Sequence, residues 1–270
     1  GCNEGCVGVD GIYVECIQNP GVSREKRLGI GTLEEAKEKK HVMVVGAGVA
    51  GLKVAEIAAK RGHNVQVYEK DSVVGGQVRL AEKLPYRNEL EEVYRYMKIQ
   101  LQELGVPVYY NTEVDEALVM QEDPEVLVVA TGSSPLIPDF KGLKTAEMAV
   151  MDVRTALKNV EKIGNNVLVY DDIGFWQGGG VADYCQALNA QVTVVTPSAS
   201  VGVDIESGQA YLLNKRLYEN GARIITNHAI ARFDGGDVVL ENVYNHEEMR
   251  LGGLDTVLIA GQSRSVNGLY

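Results

Sequence analysis

The sequence predicts an α/β protein with two Rossmann-like nucleotide-binding domains behind a cysteine-rich N-terminal segment. A glycine-rich turn stands between an apolar strand and a helix near residue 46, and a second strand, turn and helix follow near residue 170. Three cysteines lie close together at the start of the chain. Because strands that alternate with helices form parallel sheets, we expect a cysteine-rich segment and connector over 1–40, one nucleotide-binding domain over 41–135 and another over 136–270.

The glycine-rich turn is the strongest of these features. It reads GAGVAG from Gly46 to Gly51, directly after the apolar strand 42–45, and the next strand, 65–68, ends at Glu69. The first glycine permits a tight turn, the second lets the backbone approach a pyrophosphate, and the third lets the helix pack on the strand. The helix N-terminus attracts phosphate, and the carboxylate can accept hydrogen bonds from the ribose hydroxyls. The order of strand, turn, helix, strand and acid therefore predicts a dinucleotide site.

Two further segments indicate which dinucleotide is bound. Gly75, Gly76 and Gln77 follow the acid, and the apolar strand 126–129 runs into Ala130-Thr131-Gly132. Together with the turn they resemble the FAD-binding domain of flavoprotein reductases that have two dinucleotide domains, which favours FAD, or its ADP half, over free NAD. The candidate cofactor-binding residues are Gly46, Ala47, Gly48, Ala50, Gly51, Glu69, Lys70, Gly76, Gln77, Ala130, Thr131 and Gly132.

The composition restricts the compartment and the partners. The chain has 270 residues and a formal net charge of −11. No apolar run approaches the ~20 residues that span a bilayer, and the N-terminus has no signal-peptide pattern. We therefore expect a cytoplasmic protein that binds neither nucleic acid nor a membrane, because its charge repels anionic surfaces.

The three N-terminal cysteines, Cys2, Cys6 and Cys16, suggest a metal or cluster site. In a cytosolic chain, clustered cysteines are more often metal ligands than disulfide partners. The remaining cysteine, Cys185, lies far away in a predicted helix, where a small buried residue is expected. We therefore expect the missing ligand upstream of residue 1. The pattern alone leaves open a zinc site completed by a histidine and a cluster with one open iron site.

The N-terminal motif resembles that of one flavoprotein family. Cys2-Asn3-x-x-Cys6, then Cys16-x-x-Asn19-Pro20, a charged connector and the sequence VVGAG are similar to the middle of the 2,4-dienoyl-CoA reductase and trimethylamine dehydrogenase family. The resemblance implies glutathione-reductase-like nucleotide domains and a 4Fe–4S cluster, held in the intact protein by these three cysteines and an earlier one. It also implies an FMN-containing TIM barrel before this chain, absent from it, and a later segment that completes the first nucleotide domain.

The second glycine-rich turn departs from the dinucleotide pattern. After the strand 166–170 the chain reads DDIGFWQGGG, from Asp171 to Gly180, where a working NAD(P) site would have another GxGxxG. The two acids repel phosphate, so we interpret this turn as a degenerate NAD(P) site, with the glycines opening a helix over 181–188. The loop is closer to the trimethylamine dehydrogenase branch, in which ADP can fill the first site. The dienoyl-CoA reductase branch keeps an intact second turn for NADPH.

These observations lead to one principal functional hypothesis. The chain is expected to be the nucleotide-binding and electron-transfer portion of an iron–sulfur flavoprotein oxidoreductase, unable to turn over an organic substrate alone. We assign no catalytic residue. The partner implied by the resemblance is an electron-transfer flavoprotein, or else NAD(P)H, and a homo-oligomer is compatible with the sequence. The alternatives are a self-contained NAD(P)H-dependent FAD reductase module and a non-catalytic ADP-binding docking or scaffold domain.

Overall fold

The computed structural model describes residues 2, 4–7, 14–29 and 31–270, which form two compact units. The first unit comprises Gly1–Glu82, Arg87–Ser134 and Ser265–Tyr270, and the second comprises Lys83–Tyr86 and Pro135–Arg264. The C-terminal residues therefore return to the first unit, and a four-residue segment from within the first unit's sequence belongs to the second. The predicted domains, 41–135 and 136–270, include neither the return of the C-terminal residues to the first unit nor the transfer of Lys83–Tyr86 to the second.

The described residues contain short and long helices between the strands. The α-helices are α1 (Glu4–Val7), α2 (Glu25–Leu28), α3 (Val49–Lys60), α4 (Val78–Ala81), α5 (Glu91–Glu103), α6 (Glu116–Glu122), α7 (Val153–Lys158), α8 (Trp176–Ala187) and α9 (Ser207–Glu219). Turns of 3-10 helix lie at Asn88–Leu90, Leu143–Thr145 and Val160–Lys162. The strands are β1 (His41–Val45), β2 (Asn64–Tyr68), β3 (Val108–Tyr109), β4 (Val126–Val129), β5 (Ser133–Pro135), β6 (Ala149–Asp152), β7 (Asn166–Asp171), β8 (Gln191–Val195), β9 (Arg223–Ile225), β10 (His228–Asp234), β11 (Asp237–Asn242), β12 (Glu248–Leu251), β13 (Thr256–Ala260) and β14 (Ser263–Ser265).

A four-stranded parallel sheet forms the centre of the first unit, in the order β3-β2-β1-β4. In the central strand, Val44 pairs with Val67 of β2 and with Val128 of β4. Helices α3 and α5 pack together, and Leu52 and Met97 join the strand residues in one buried cluster. The strand β1 is buried on both faces, as expected for a parallel sheet covered by helices.

The second unit has a five-stranded parallel sheet and a three-stranded antiparallel one. The parallel strands are ordered β6-β13-β7-β8-β9, and β10-β11-β12 form the antiparallel sheet. Leu168 and Val257 of the parallel sheet share a buried cluster with Phe233 and Leu240 of the antiparallel sheet. The longest strand of the antiparallel sheet is β10, and it pairs with β11, which in turn pairs with β12.

The helix after β7 begins earlier than the sequence predicts. We expect it over 181–188, but α8 starts at Trp176 and includes all three glycines of the GGG run. Each glycine packs against a neighbour: a Cβ on Gly178 would overlap the Asp171 side chain, and one on Gly179 would lie 2.7 Å from Leu213 Cδ2. Close tertiary packing therefore outweighs the low helix propensity of glycine, and the predicted start was wrong.

The segment Lys83–Tyr86 packs within the second unit. Lys83 Nζ donates to the carbonyl oxygen of Leu157 at 2.7 Å, and the Leu84 side chain is buried beside Gly180. The Tyr86 ring lies 4.5 Å from the guanidinium carbon of Arg216, which in turn pairs with Asp183. None of the described helices combines the length and the apolar character that crossing a bilayer requires.

Candidate nucleotide site

The three glycines of the first turn are required for different reasons. Gly46 has φ of 101°, and a Cβ there would overlap the carbonyl oxygen of Ala130. A Cβ on Gly51 would overlap the carbonyl oxygen of Gly46. Gly48, by contrast, has φ of −71°, and a Cβ added to it would meet no atom within 4 Å. The fold explains the first and third glycines, whereas the second faces open space.

The helix α3 begins at this open space. Its N-cap is Gly48, which has no side chain to accept hydrogen bonds from the first N–H groups of the helix. Those N–H groups and the helix dipole make the N-terminus of a helix a site for anions. The positive end of α3 therefore faces open space at Gly48, where an anionic group can approach without steric hindrance.

Glu69 lies at the end of β2 and connects that strand to the turn. Its side chain is buried, Oε2 accepts a hydrogen bond from the N–H of Ala47 at 2.7 Å, and Oε1 accepts one from Asp71 at 2.9 Å. Each carboxylate oxygen has a second lone pair, which leaves acceptor capacity for ribose hydroxyls. Lys70 is the next residue and is exposed, as is Ala50 in the first turn of α3.

The segment Gly75–Gln77 lies against the turn. The N–H of Gly75 donates to the carbonyl oxygen of Ala47 at 2.9 Å, and a Cβ on Gly76 would come within 3.1 Å of Gly48 Cα. Gln77 Nε2 donates to the hydroxyl of Ser133 at 3.2 Å. The segment Gly75–Gln77 and the glycine-rich turn, which α3 and β2 separate in sequence, therefore lie side by side.

The segment Ala130–Gly132 reaches the same site from β4. The N–H of Ala130 donates to the carbonyl oxygen of Val45 at 2.8 Å, and that of Val266 donates to Gly132 at 3.0 Å. The Thr131 hydroxyl also donates to the carbonyl oxygen of Val266. A cavity of ≈ 270 Å³ lies here, lined by Val129, Thr131, Gly132, Ser265, Val266, Asn267 and Tyr270.

The C-terminal lining of this cavity is the part of the site that sequence reasoning missed. Ser265 to Tyr270 has no nucleotide-binding pattern, and it is separated from the first turn by the whole second unit in sequence. The structure brings together the turn, Glu69, Gly76, Gln77 and the Ala130–Gly132 segment. Only a contact between distant residues, such as that of Val266 with Gly132, could have identified the tail.

The corresponding turn of the second unit is arranged differently. Asp171 ends β7 and is completely buried, and its Oδ1 accepts a hydrogen bond from the N–H of Gly174 at 3.0 Å. Burial raises the pKa of this carboxyl to about 6, although the N–H groups of Gly174, Ile173 and Gly202 act in the opposite direction. The turn therefore contains a buried carboxyl group that accepts its own backbone N–H donors.

Comparison with known proteins now places this arrangement in a family. The family model described as pyridine nucleotide-disulphide oxidoreductase matches residues 40–268. The chain belongs to that family. The N,N-dimethylglycine/sarcosine dehydrogenase of Chromohalobacter salexigens is 31% identical over 284 residues, which cover 98% of this chain and 40% of that protein. The chain thus spans about two fifths of the length of this relative.

Solved structures of larger oxidoreductases contain the same fold. A complex of 2-naphthoyl-CoA reductase with 2-naphthoyl-CoA has a TM-score of 0.88 at 28% identity, covering 99% of this chain and 40% of that one. The histamine dehydrogenase from Rhizobium sp. 4-9 has a TM-score of 0.85 at 25% identity, covering 95% and 41%. These relatives confirm the resemblance to the 2,4-dienoyl-CoA reductase and trimethylamine dehydrogenase family and the two-domain Rossmann-like fold.

The N-terminal cysteines lie outside the residues that the pyridine nucleotide-disulphide oxidoreductase model matches. Cys2 and Cys16 are half-buried and Cys6 is exposed. The N–H of Glu15 donates to the carbonyl oxygen of Gly5 at 2.7 Å, so the residues just before Cys6 and Cys16 are adjacent. Across the ranges that the structure describes, no three His, Cys, Asp or Glu side chains are arranged to hold a metal ion. Asn3 and residues 8–13 of the motif region are outside those ranges.

Cys185 belongs to the other unit and has a different environment. It is completely buried in α8, and burial raises the pKa of its thiol to about 12. A thiol with a raised pKa is a poor nucleophile and a poor metal ligand. Cys185 is therefore a core residue, as the sequence predicts.

Proposed function

We propose that this chain is the nucleotide-binding part of a larger iron–sulfur flavoprotein oxidoreductase, and that its first unit binds FAD, or ADP in the same site. The observation that carries the proposal is the contrast among the three turn glycines. At Gly46 and Gly51, backbone atoms leave no room for a side chain, whereas Gly48 faces open space at the start of α3. A glycine that the fold itself does not need is explained if a phosphate lies against it.

The remaining residues of the first unit fit an adenosine diphosphate group. The helix end supplies N–H donors for the pyrophosphate, and Glu69, held by Ala47 and Asp71, supplies acceptors for the ribose. A bound FAD would supply redox chemistry through its isoalloxazine ring, while ADP would supply none. The residues described here recognise the part that the two molecules have in common.

The nucleotide that the purified protein retains tests this proposal. Denaturation followed by absorbance spectroscopy and chromatography would identify it: a yellow extract indicates FAD, and a colourless extract with an adenine spectrum indicates ADP. Either result supports the adenosine diphosphate site. A well-folded protein that retains neither, and that binds neither on titration, would contradict it.

The substrate chemistry is proposed to lie outside this chain. The chain covers about 40% of its relatives' length, and the relatives' names describe dehydrogenases and reductases of small organic molecules. The family resemblance assigns that chemistry to an FMN-containing barrel. We propose that the intact protein passes its electrons to a protein acceptor such as an electron-transfer flavoprotein. This chain would bind cofactor and relay electrons or provide a docking surface, without acting on the organic substrate itself.

The N-terminal cysteines are proposed to hold a 4Fe–4S cluster in the intact protein. The cysteine spacing and the adjacency of Gly5 and Glu15 support this assignment. Buried Arg87 also lies near Cys2 and Glu4. The described side chains do not themselves form a ligand set, so we derive no electron-transfer step through the cluster. Iron and acid-labile sulfide, measured in wild-type protein and in Cys6→Ser, test the assignment; equal contents in both would contradict it.

A further inference from the structure

The turn of the second unit differs from the first at the residue that follows the central strand. Gly46 stands at the end of β1, and Asp171 stands at the end of β7. The third residue of the following helix is a glycine in both units, Gly51 in α3 and Gly178 in α8. A Cβ on Gly51 would overlap the turn backbone at Gly46, whereas one on Gly178 would overlap the Asp171 side chain. The Asp171 carboxyl therefore lies directly against the first turn of α8.

Backbone donors of the second unit already surround this carboxyl. Oδ1 accepts the N–H of Gly174 at 3.0 Å, and the N–H groups of Ile173 and Gly202 also stabilise the charged form. Oδ2 is buried without a hydrogen-bond partner, and the residue has no exposed surface. In the first unit, the corresponding helix start has only open space in front of Gly48.

The second unit also lacks the ribose-binding acid. Thr196 follows β8 as Glu69 follows β2: its N–H donates to Ile225 at 3.0 Å, where that of Glu69 donates to Tyr109 at 2.9 Å. The hydroxyl of Thr196 accepts the N–H two residues later, as does Glu69 Oε1. No arginine or lysine occurs from 196 to 206 to accommodate a 2′-phosphate. The first unit therefore has its carboxylate, Glu69, after the second strand of the motif (β2), whereas the second unit has its carboxylate, Asp171, at the end of the first strand of the motif (β7).

We propose that Asp171 acts as a built-in anion that closes the second nucleotide site to NAD(P)H and to other pyrophosphates. A phosphate that approached α8 would meet a fixed carboxylate in a buried, low-dielectric position, and the turn N–H groups it needs are already engaged. The inference rests on the proposed function for one point, that the first unit is the adenine nucleotide site. It implies that NAD(P)H does not deliver electrons through this unit.

Titration with NADH tests the role of Asp171, because Trp176, the only tryptophan of the chain, is the first residue of α8. Its fluorescence reports a reduced nicotinamide nucleotide bound at this turn. We expect no saturation of wild-type protein below millimolar NADH. Asp171→Gly, which reproduces Gly46, should increase the affinity by about tenfold or more. The matched control is Asp172→Asn, which removes the neighbouring acid and should increase the affinity much less, because Asp172 is half-buried and its Oδ1 accepts a hydrogen bond from the Tyr170 hydroxyl.

A second variant covers the case in which Asp171→Gly does not fold. Asp171→Asn keeps the shape of the side chain and removes its charge, and it should increase the binding of inorganic pyrophosphate relative to wild type. With ADP in excess to fill the first unit, saturable NADH binding by wild-type protein would overturn the proposal. Folded Asp171 variants without increased affinity, or an equal increase in Asp172→Asn, would do so as well.

The same preparations separate this inference from the proposed function. Adenine nucleotide retained by the first unit is measured by extraction and depends on Gly48 and Glu69, which belong to the other unit. Protein that retains and binds no adenine nucleotide would contradict the proposed function. The comparison of Asp171 variants, read from Trp176, would still decide whether the second turn is closed by its own carboxylate.

Discussion

The carboxylate of Glu69 accepts a hydrogen bond from the backbone N–H of Ala47, with 2.7 Å between Oε2 and N. This bond ties the end of β2 to the turn that follows β1, and both groups are buried. The acid that is proposed to bind the ribose is therefore also the residue that orients the glycine-rich turn. Pre-organisation of this kind lowers the cost of ordering the site when a nucleotide binds.

Replacing Glu69 with Gln should weaken the binding of ADP. The amide loses the charge that strengthens hydrogen bonds from the ribose hydroxyls, and its NH2 group cannot accept the N–H of Ala47 or of Asp71, so we expect a loss of about 1.5–3 kcal/mol. Isothermal titration calorimetry with ADP on nucleotide-free protein measures this. Glu92→Gln, at a half-exposed position of α5 outside the candidate site, is the control. Equal affinities in the Glu69 variant and wild type would argue against the ribose assignment.

Gly48→Val should abolish nucleotide retention without unfolding the protein. The backbone at Gly48 is extended, with φ of −71° and ψ of 175°, and the added Cβ would meet no atom within 4 Å, so the stability change should stay within about 1 kcal/mol. Gly51→Ala is the contrasting variant, because its Cβ would overlap backbone and should destabilise the fold. Urea denaturation and nucleotide extraction distinguish the two effects. A Gly48→Val protein that still copurifies with adenine nucleotide would sink the phosphate-turn assignment.

Asp171 should make the protein relatively more stable in mild acid. Its pKa is raised by burial to about 6 in the folded state, whereas an unfolded aspartate has about 3.9. Between these values the native state binds more protons than the unfolded state, so the unfolding free energy falls as the pH rises. Relative to Asp171→Asn, wild type should lose roughly 2–3 kcal/mol from pH 4 to pH 7. Urea denaturation of both proteins at several pH values measures this, and a constant difference would refute it.

Glu56 should stabilise the first unit at neutral pH through two lysines. Its carboxylate is buried and lies 2.6 Å from both Lys53 Nζ and Lys60 Nζ, and although burial opposes them, these contacts lower the pKa of Glu56. Its contribution is present above the unfolded pKa, near 4.3, and is lost as the pH falls through the lower folded value. Glu56→Gln should cost about 1–3 kcal/mol at pH 7 and less near pH 3.

An exposed ion pair provides the control for Glu56. Glu92 and Arg95 on α5 are also spaced i and i+3, but both side chains are about half exposed. Glu92→Gln should therefore change the unfolding free energy by less than about 0.5 kcal/mol. Similar losses in the two variants at pH 7 would show that the burial of Glu56 contributes nothing to its effect.

The first turn and its neighbours could be predicted from the sequence because their constraints are local. Gly46, Gly48 and Gly51 follow a strand at fixed spacing, and Glu69 follows the next strand, so order along the chain corresponds to proximity in space. Their positions around one open helix end agree with the predicted dinucleotide site. The cofactor and ligand assignments themselves stay predictions.

The features that could not be predicted depend on distant residues. The start of α8 depends on the side chains of Asp171 and Leu213, which pack directly against Gly178 and Gly179. Local helix propensity alone places the start of the helix later. The return of Ser265–Tyr270 to the first unit depends on hydrogen bonds of Val266 to Gly132 and Thr131. Nothing in either short sequence indicates its partner.

The segment Lys83–Tyr86 has a consequence for how the protein can be dissected. This segment belongs to the second unit although its sequence neighbours belong to the first, and the C-terminal residues belong to the first unit although the residues before them belong to the second. The polypeptide therefore passes between the units at four points. A cut after Ser134 would strip Tyr86 from Arg216 and expose Leu84, which is otherwise buried beside Gly180. A truncation there would create two damaged fragments rather than two modules, so the nucleotide affinity of each unit is best measured by point substitution in the undivided chain.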